Sequence, residues 1–304
     1  MVGSVVVGLD GSVESRAAVE WAAREAKRRS LPLKLVHVRE AVSEPMALAS
    51  LLGAPPAEGW ESLPRQAAEE LRLRHPGLDV TVEQVFGQPA EVLTEAAKDA
   101  ELLVLGSRGM SGLGGFLVGS VGQAVLAHAE QPVVLVRAGE RAADGPAKVP
   151  SAIPSAIPSA AATSGPVVLG LDTDSPDDTL LAFAFEAAAR RVTPLRVVHA
   201  WNLPPYFAYG LPADPELNAL LGKEDAVALG ELLHRWKEKY PAVEVLEESR
   251  SGSPAIQLVD ASRGASLVVV GRRIRRGTLG PHIGPVTHAV LHHATAPVAV
   301  VAHD

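Results

Sequence analysis

Leu102–Val121 reads LLVLGSRGMSGLGGFLVGSV, and a second copy, LLVLG become LVVVG, runs from Leu267 to Val286 as LVVVGRRIRRGTLGPHIGPV. In the first copy Gly106-Ser107-Arg108-Gly109 is followed, after nine residues, by Gly119-Ser120. In the second, Gly271-Arg272-Arg273-Ile274 is followed, again after nine residues, by Gly284-Pro285. Each copy follows an apolar strand-like run and leads into a helical pattern. A glycine loop between strand and helix suits an anion, because backbone N–H groups and the positive helix end can point at phosphate. The second copy is spoiled for that purpose. Ile274 is β-branched and disfavours positive φ, and Pro285 has neither a hydroxyl nor an N–H.

The loops are part of a larger repeat. Val5-Val6-Val7-Gly8-Leu9-Asp10 matches Val167-Val168-Leu169-Gly170-Leu171-Asp172 at an offset of 162, and Leu35-Val36-His37-Val38 matches Val197-Val198-His199-Ala200 at the same offset. Further on the offset becomes 165, pairing Gly87 with Gly252, Gly106 with Gly271 and Gly119 with Gly284. Colinear landmarks over such a span indicate a duplicated domain rather than a solenoid of small units. The expected division is 1–138, an Ala/Ser/Pro-rich linker at 139–165, and 166–304. Prolines at 150, 154 and 158 make that linker extended, a spacer without a binding role.

Within the first half, strands are expected at 4–9, 33–38, 80–85, 102–105 and 133–136, and helices near 14–29, 63–74, 89–98 and 121–129. Ser253-Pro254 and Ser175-Pro176-Asp177-Asp178 read as helix starts with a capping hydroxyl and a first-turn proline. Such alternation predicts an α/β protein of two tandem open, mostly parallel doubly wound sheets of about five strands each. Ligands in such sheets sit beyond strand C-termini where the winding reverses. That places Gly8-Leu9-Asp10 and the loop from Gly106 together.

Composition narrows the function. The 304 residues carry 47% hydrophobic and 21% charged residues, as a globular chain does. A net charge of -7 argues against nucleic acid or an anionic membrane as partner. With no cysteine, thiolate catalysis, disulfides and Cys-based zinc sites are excluded, and the expected compartment is the cytoplasm. Neither a signal peptide nor a membrane-long apolar run is legible, so the chain is expected to be soluble.

The spacing Gly-x2-Gly-x9-Gly-Ser, with Gly8-Leu9-Asp10-Gly11-Ser12 closing the first strand, resembles the ATP-binding universal stress proteins, in tandem form. Neither a phosphate loop ending in Gly-Lys-Ser/Thr nor a Gly-x-Gly-x-x-Gly fingerprint is present. The resemblance implies an adenine nucleotide α-hydrolase-like fold. It also implies an ATP site, with or without Mg2+, formed by Gly8, Leu9, Asp10, Val38, Gly106, Ser107, Arg108, Gly109, Gly112, Gly119, Ser120 and Val121. In that scheme Asp10, Gly8 and Leu9 lie at the nucleoside end. Gly106 and Gly109 allow close phosphate approach and positive φ. Arg108 offers charge, and Ser120 caps the helix from Val121 while meeting a terminal phosphate. The competing readings are a turn-forming Asp10 and a glycine turn that holds no ligand.

Other clusters carry less. Arg272, Arg273, Arg275 and Arg276 read as a solvated basic surface. His288 and His292 have metal-compatible spacing, with His293 beside them, but no acidic third ligand is adjacent and no metal site is expected. Trp201, Tyr206, Phe207 and Tyr209 read as an apolar cap. No catalytic constellation is legible. The expected function is an ATP-binding stress regulator that signals by conformational change, not an enzyme. A slow ATP hydrolase and a nucleotide-free scaffold are the alternatives. The expected partners are a nucleotide and a protein partner of unread identity. By resemblance, the final strands of the two halves pair edge to edge within the chain, with a homodimer also open.

Overall fold

The computed structural model describes residues 3–40, 62–107, 118–138, 165–201, 215–274 and 283–304, with the side chains of 215–221 left aside. The linker at 139–164 lies outside the described residues. The chain divides into two compact units, Met1–Lys148 and Val149–Asp304.

In the first unit the order is β1 (Ser4–Gly8), α1 (Val13–Arg29), β2 (Leu33–Arg39), α2 (Ser62–Arg74), β3 (Val80–Phe86), α3 (Pro89–Ala97), β4 (Ala100–Ser107), α4 (Ser120–His128) and β5 (Val133–Arg137). Its strands lie in the order β3-β2-β1-β4-β5, and each pair is parallel. The chain winds outward from β1 through β2 to β3, then returns to the other side of β1 for β4 and β5. The winding therefore reverses between β1 and β4, where a crevice opens beyond the strand ends.

The second unit repeats this plan with β6 (Val167–Gly170), α5 (Asp178–Arg191), β7 (Leu195–Trp201), α6 (Pro215–Lys239), β8 (Val245–Ser251), α7 (Pro254–Ala261), β9 (Leu267–Arg273), α8 (Pro285–His293) and β10 (Val298–His303). The parallel order is β8-β7-β6-β9-β10, with the reversal between β6 and β9.

The central strands are unbroken apolar runs because helices cover both faces. Val5, Val6, Val7, Leu102, Leu103 and Val104 are all buried, as are Val167, Val168, Leu169, Val268 and Val269 in the second unit. Helix α1 approaches its sheet closely because Ala18, Ala22, Ala23 and Ala26 form its buried stripe. In the second unit Phe185 of α5 stacks on Trp236 of α6 and on Tyr240, with centroids 5.6 and 5.5 Å away.

Three expectations at helix starts are corrected. Gly119, not Ser120, is the N-cap of α4, and Ser120 is its first helical residue. Asp177, not Ser175, caps α5, its carboxylate accepting from the Thr179 and Leu180 N–H groups at 2.8 and 3.1 Å. A charged two-bond acceptor outcompetes the hydroxyl upstream. Ser253 holds the N-cap position of α7, but its hydroxyl makes no cap bond. Strand β4 also runs to Ser107, so Gly106 and Ser107 belong to the strand.

Gly106 has a structural reason to be glycine, and it is not the positive φ expected of it, since Gly106 is absent from that region. A Cβ there would lie 2.6 Å from the carbonyl carbon of Glu14 and 2.7 Å from the Ser15 nitrogen. Those are backbone atoms in the first turn of α1, which cannot swing aside. Gly8 differs: its added Cβ would meet the Leu105 Cδ2 methyl at 2.9 Å and Leu93 at 3.3 Å, the ends of flexible side chains. Gly106→Ala is therefore expected to destabilise the first domain by about 1–3 kcal/mol, as overpacking does, and Gly8→Ala by less. Urea unfolding of both variants measures this, and equal midpoints for Gly106→Ala and the parent chain would contradict the close approach.

Candidate functional site

At the C-terminal end of β1 the chain turns through Gly8, Leu9, Asp10, Gly11 and Ser12 into α1. Gly11 takes φ of 85°, a left-handed conformation that glycine adopts without penalty. The Asp10 carboxylate accepts the Ser12 N–H at 2.9 Å. Ser12 in turn caps α1 by accepting the Ser15 N–H at 3.0 Å. The buried Ser15 hydroxyl donates back to the Ser12 carbonyl at 3.0 Å. Arg16 closes the turn with a 2.7 Å bond to the Gly11 carbonyl. The turn-forming role of Asp10 is thus real, and its carboxylate remains at the solvent-exposed mouth of the crevice. Partial burial pushes its pKa up, but hydrogen bonds from Ser12 and Ser15 outweigh that, so Asp10 lies below the ordinary aspartate range.

Beneath this turn sits a residue the sequence reading used only as a repeat landmark. The buried His37 of β2 places Nδ1 2.7 Å from the Leu9 carbonyl oxygen, so Nδ1 carries the proton and donates. His199 of β7 does the same for the Leu171 carbonyl at 3.1 Å. Both imidazoles lock the chain just past the first strand of their unit. The available signal was a polar residue recurring at one register inside two apolar strands. Val38, next along β2, is half-buried at the same end of the sheet.

On the other side of the reversal, Gly106 and Ser107 end β4. Ser107 is buried and its hydroxyl donates to the Val136 carbonyl at 3.3 Å, which turns it away from the crevice. Arg108, Gly109 and Gly112 lie outside the described residues. The chain resumes at Val118 and enters α4 through Gly119, whose φ of -61° and ψ of 156° are those of an N-cap without a side chain. The N–H groups of Ser120, Val121 and Gly122 therefore have no side-chain cap, and they occupy the positive end of the helix. Arg137, opposite Ser107 in the register of β5, was also missed, because one arginine after an apolar strand reads as a strand end. Burial pushes its guanidinium down to about 10 and leaves a positive charge partly out of water one strand from Gly106.

The second unit carries the same frame with different contents. Asp172 accepts the Asp174 N–H at 3.1 Å, repeating the Asp10 turn. Gly284 caps α8 with φ -60° and ψ 155°, again without a side-chain bond, but Pro285 follows where Ser120 stands in the first unit. Thr287 donates to the Gly271 carbonyl at 2.8 Å, a bond that Gly122 at the matching position cannot make. The Ile274 N–H is already donated to the His303 carbonyl at 2.6 Å. The basic surface expected at this loop is corrected in part: β9 continues to Arg273, and strand alternation buries Arg272 while exposing Arg273. Arg275 and Arg276 lie outside the described residues, as do Tyr206, Phe207 and Tyr209. Trp201 donates to the Ser249 hydroxyl at 3.0 Å, linking β7 to β8. Among the described residues no cluster of three His, Cys, Asp or Glu side chains could hold a metal ion, and no helix is long and apolar enough to cross a membrane.

Two parallel doubly wound domains, each with an Asp-bearing turn after its first strand and a glycine-capped helix before its last strand, define a duplicated α/β protein. The Universal stress protein family profile matches residues 1–137 and 164–302, and the chain belongs to that family. A universal stress protein of Mycobacterium tuberculosis is 34% identical over 314 residues, covering 97% of this chain and 96% of the relative. One from Mycolicibacterium smegmatis is 33% identical over 309 residues, covering 98% and 96%. A universal stress protein crystal structure from Archaeoglobus fulgidus superposes with a TM-score of 0.69 at 16% identity, covering 99% of this chain and 98% of that one.

Because hydrogen bonds favour the ionised Asp10, its carboxyl is expected to titrate below an unstructured aspartate. The stabilisation it lends the turn is present at neutral pH and is lost as pH falls through that lowered value. Carboxyl carbon shifts followed by NMR measure the midpoint, and a value at or above that of an unfolded aspartate contradicts the turn network.

Proposed function

We propose that the first domain binds ATP, with or without Mg2+, and that the protein is a cytoplasmic stress regulator acting by conformational change rather than turnover. The carrying observation is the contrast between α4 and α8. Their glycine caps are superimposable in φ and ψ, yet only α4 keeps the N–H of its first residue, because α8 begins with proline. Three uncapped N–H groups at a positive helix end favour an anion. The ionised, exposed Asp10 in the turn after β1 suits hydroxyl or amino donors of a nucleoside. Phosphate at one end and nucleoside at the other matches the reversal between β1 and β4. The partly desolvated Arg137 adds positive charge near the phosphate end.

The untagged protein is expected to carry one nucleotide per chain in native mass spectrometry with excess ATP, and two bound at low concentration would sink the asymmetry. Gly119→Asp tests the site directly. Aspartate is a good N-cap, so the helix is kept, but its charge repels phosphate and affinity for ATP is expected to fall at least tenfold, about 1.4 kcal/mol. Calorimetric titration with unchanged affinity would place the nucleotide elsewhere. The bound ATP is expected to remain ATP over hours, and accumulating ADP would favour the hydrolase.

A further inference from the structure

The second unit holds a hydroxyl and a base that the nucleotide reading leaves unused. Thr173 lies half-buried in the turn after β6, and its Oγ1 is 3.3 Å from Nε2 of the buried His199 on β7. The Leu171 carbonyl oxygen stands 3.1 Å from Nδ1 of the same ring. A carbonyl only accepts, so Nδ1 carries the proton and Nε2 presents its lone pair to the Thr173 hydroxyl. We propose that Thr173 is an acylation site, a hydroxyl nucleophile with His199 as its general base, that takes an acyl group from a neutral activated ester.

Nucleophile, base and the group that orients the base follow one another in hydrogen-bond order, the arrangement that activates a hydroxyl. Asp225 of α6 places Oδ1 4.0 Å from the same Nε2, where its charge stabilises the imidazolium formed as the proton moves. This constellation is particular to the second unit. At the repeat offset of 162 His199 matches His37, but Thr173 matches Gly11 and Asp225 matches Leu63, neither with a side-chain oxygen. The match holds in space too, since Leu63 Cδ2 would lie 3.1 Å from a Cβ on Gly11. Beside the shared imidazole, the second unit thus sets a hydroxyl and a carboxylate.

The surroundings set the class of donor. Asp172 and Asp174 flank Thr173 in the chain and are exposed, and Asp225 adds a third carboxylate. Three negative groups repel an acyl phosphate and leave a neutral ester as the favoured electrophile. In the step, Thr173 Oγ1 bonds to the ester carbonyl carbon while His199 Nε2 takes the hydroxyl proton. The bond from that carbon to the leaving oxygen then breaks, and this oxygen keeps the electron pair and receives the proton from Nε2. The products are a threonine ester and a free alcohol.

Incubation of the full-length protein with p-nitrophenyl acetate at about pH 8, where free imidazole is largely unprotonated, followed by peptide mapping, tests the proposal. Acetyl is expected on Thr173 in preference to other threonines and serines, with lysine acetylation as the internal reference. His199→Gln is expected to slow labelling of Thr173 relative to lysine about tenfold or more, as loss of a general base does. Asp225→Asn is expected to slow it roughly threefold. Acetyl phosphate is expected to label Thr173 less, relative to lysine, than the neutral ester does. Circular dichroism establishes that each variant is folded, and Asp225→Asn, which leaves the buried ring in place, carries the test if His199→Gln does not fold. No acetyl on Thr173, an undiminished rate in either folded variant, or equal labelling by acetyl phosphate would each overturn the assignment. Nucleotide is omitted throughout, so the outcome is independent of ATP binding in the first domain.

Discussion

The first domain depends on a distance of closest approach. Helix α1 begins so near β4 that its first-turn backbone occupies the place where a side chain at Gly106 would stand. Everything at the crevice inherits its position from that contact. Because α1 starts low, the turn from β1 is short, Ser12 reaches the helix N–H groups, and Asp10 is drawn into a bond with Ser12. The glycine therefore shapes the crevice by letting a helix come close.

The second domain shows the same constraint relaxed. Helix α5 starts at Asp178, a turn later than α1 by the repeat offset of 162. The space over Gly271 is taken instead by the His303 ring, whose Nε2 would lie 2.6 Å from an added Cβ. His303 in turn stands 3.9 Å from Asp177, the residue that caps the shortened helix. A delayed helix, a new cap and an inserted imidazole form one linked change. Pro285 and the Thr287 bond to Gly271 complete the rebuilding at the other helix. The strands beneath are unaffected, since their burial depends on apolar content alone.

This explains what was legible in sequence. The parallel architecture, the duplication and nearly every strand could be read, because buried strands in such a sheet are continuous runs of Val and Leu between glycines. Helix starts were read less well, since Ser120, Ser175 and Ser253 look like caps by residue type, and which group caps depends on where the turn ends. The inward hydroxyl of Ser107 and the inward Arg272 were hidden for a related reason: each lies on a strand that runs beyond its apolar stretch, where alternation still assigns a face but hydrophobicity no longer marks it. The imidazoles of His37 and His199 were visible as repeats, yet their role is a long-range bond to the chain after the neighbouring strand, which periodicity cannot reveal.

The near-identity of β1 and β6 has a kinetic side. Val5-Val6-Val7-Gly8-Leu9-Asp10 and Val167-Val168-Leu169-Gly170-Leu171-Asp172 both fit a central slot between two parallel neighbours. In a chain still folding, either segment is a competent occupant of the other's place, which is the characteristic misassembly route of tandem homologous domains. Synthesis from the N-terminus gives the first half time to close its sheet before β6 leaves the ribosome. The roughly 26 residues between the halves lengthen that interval, since each must be synthesised before β6 follows.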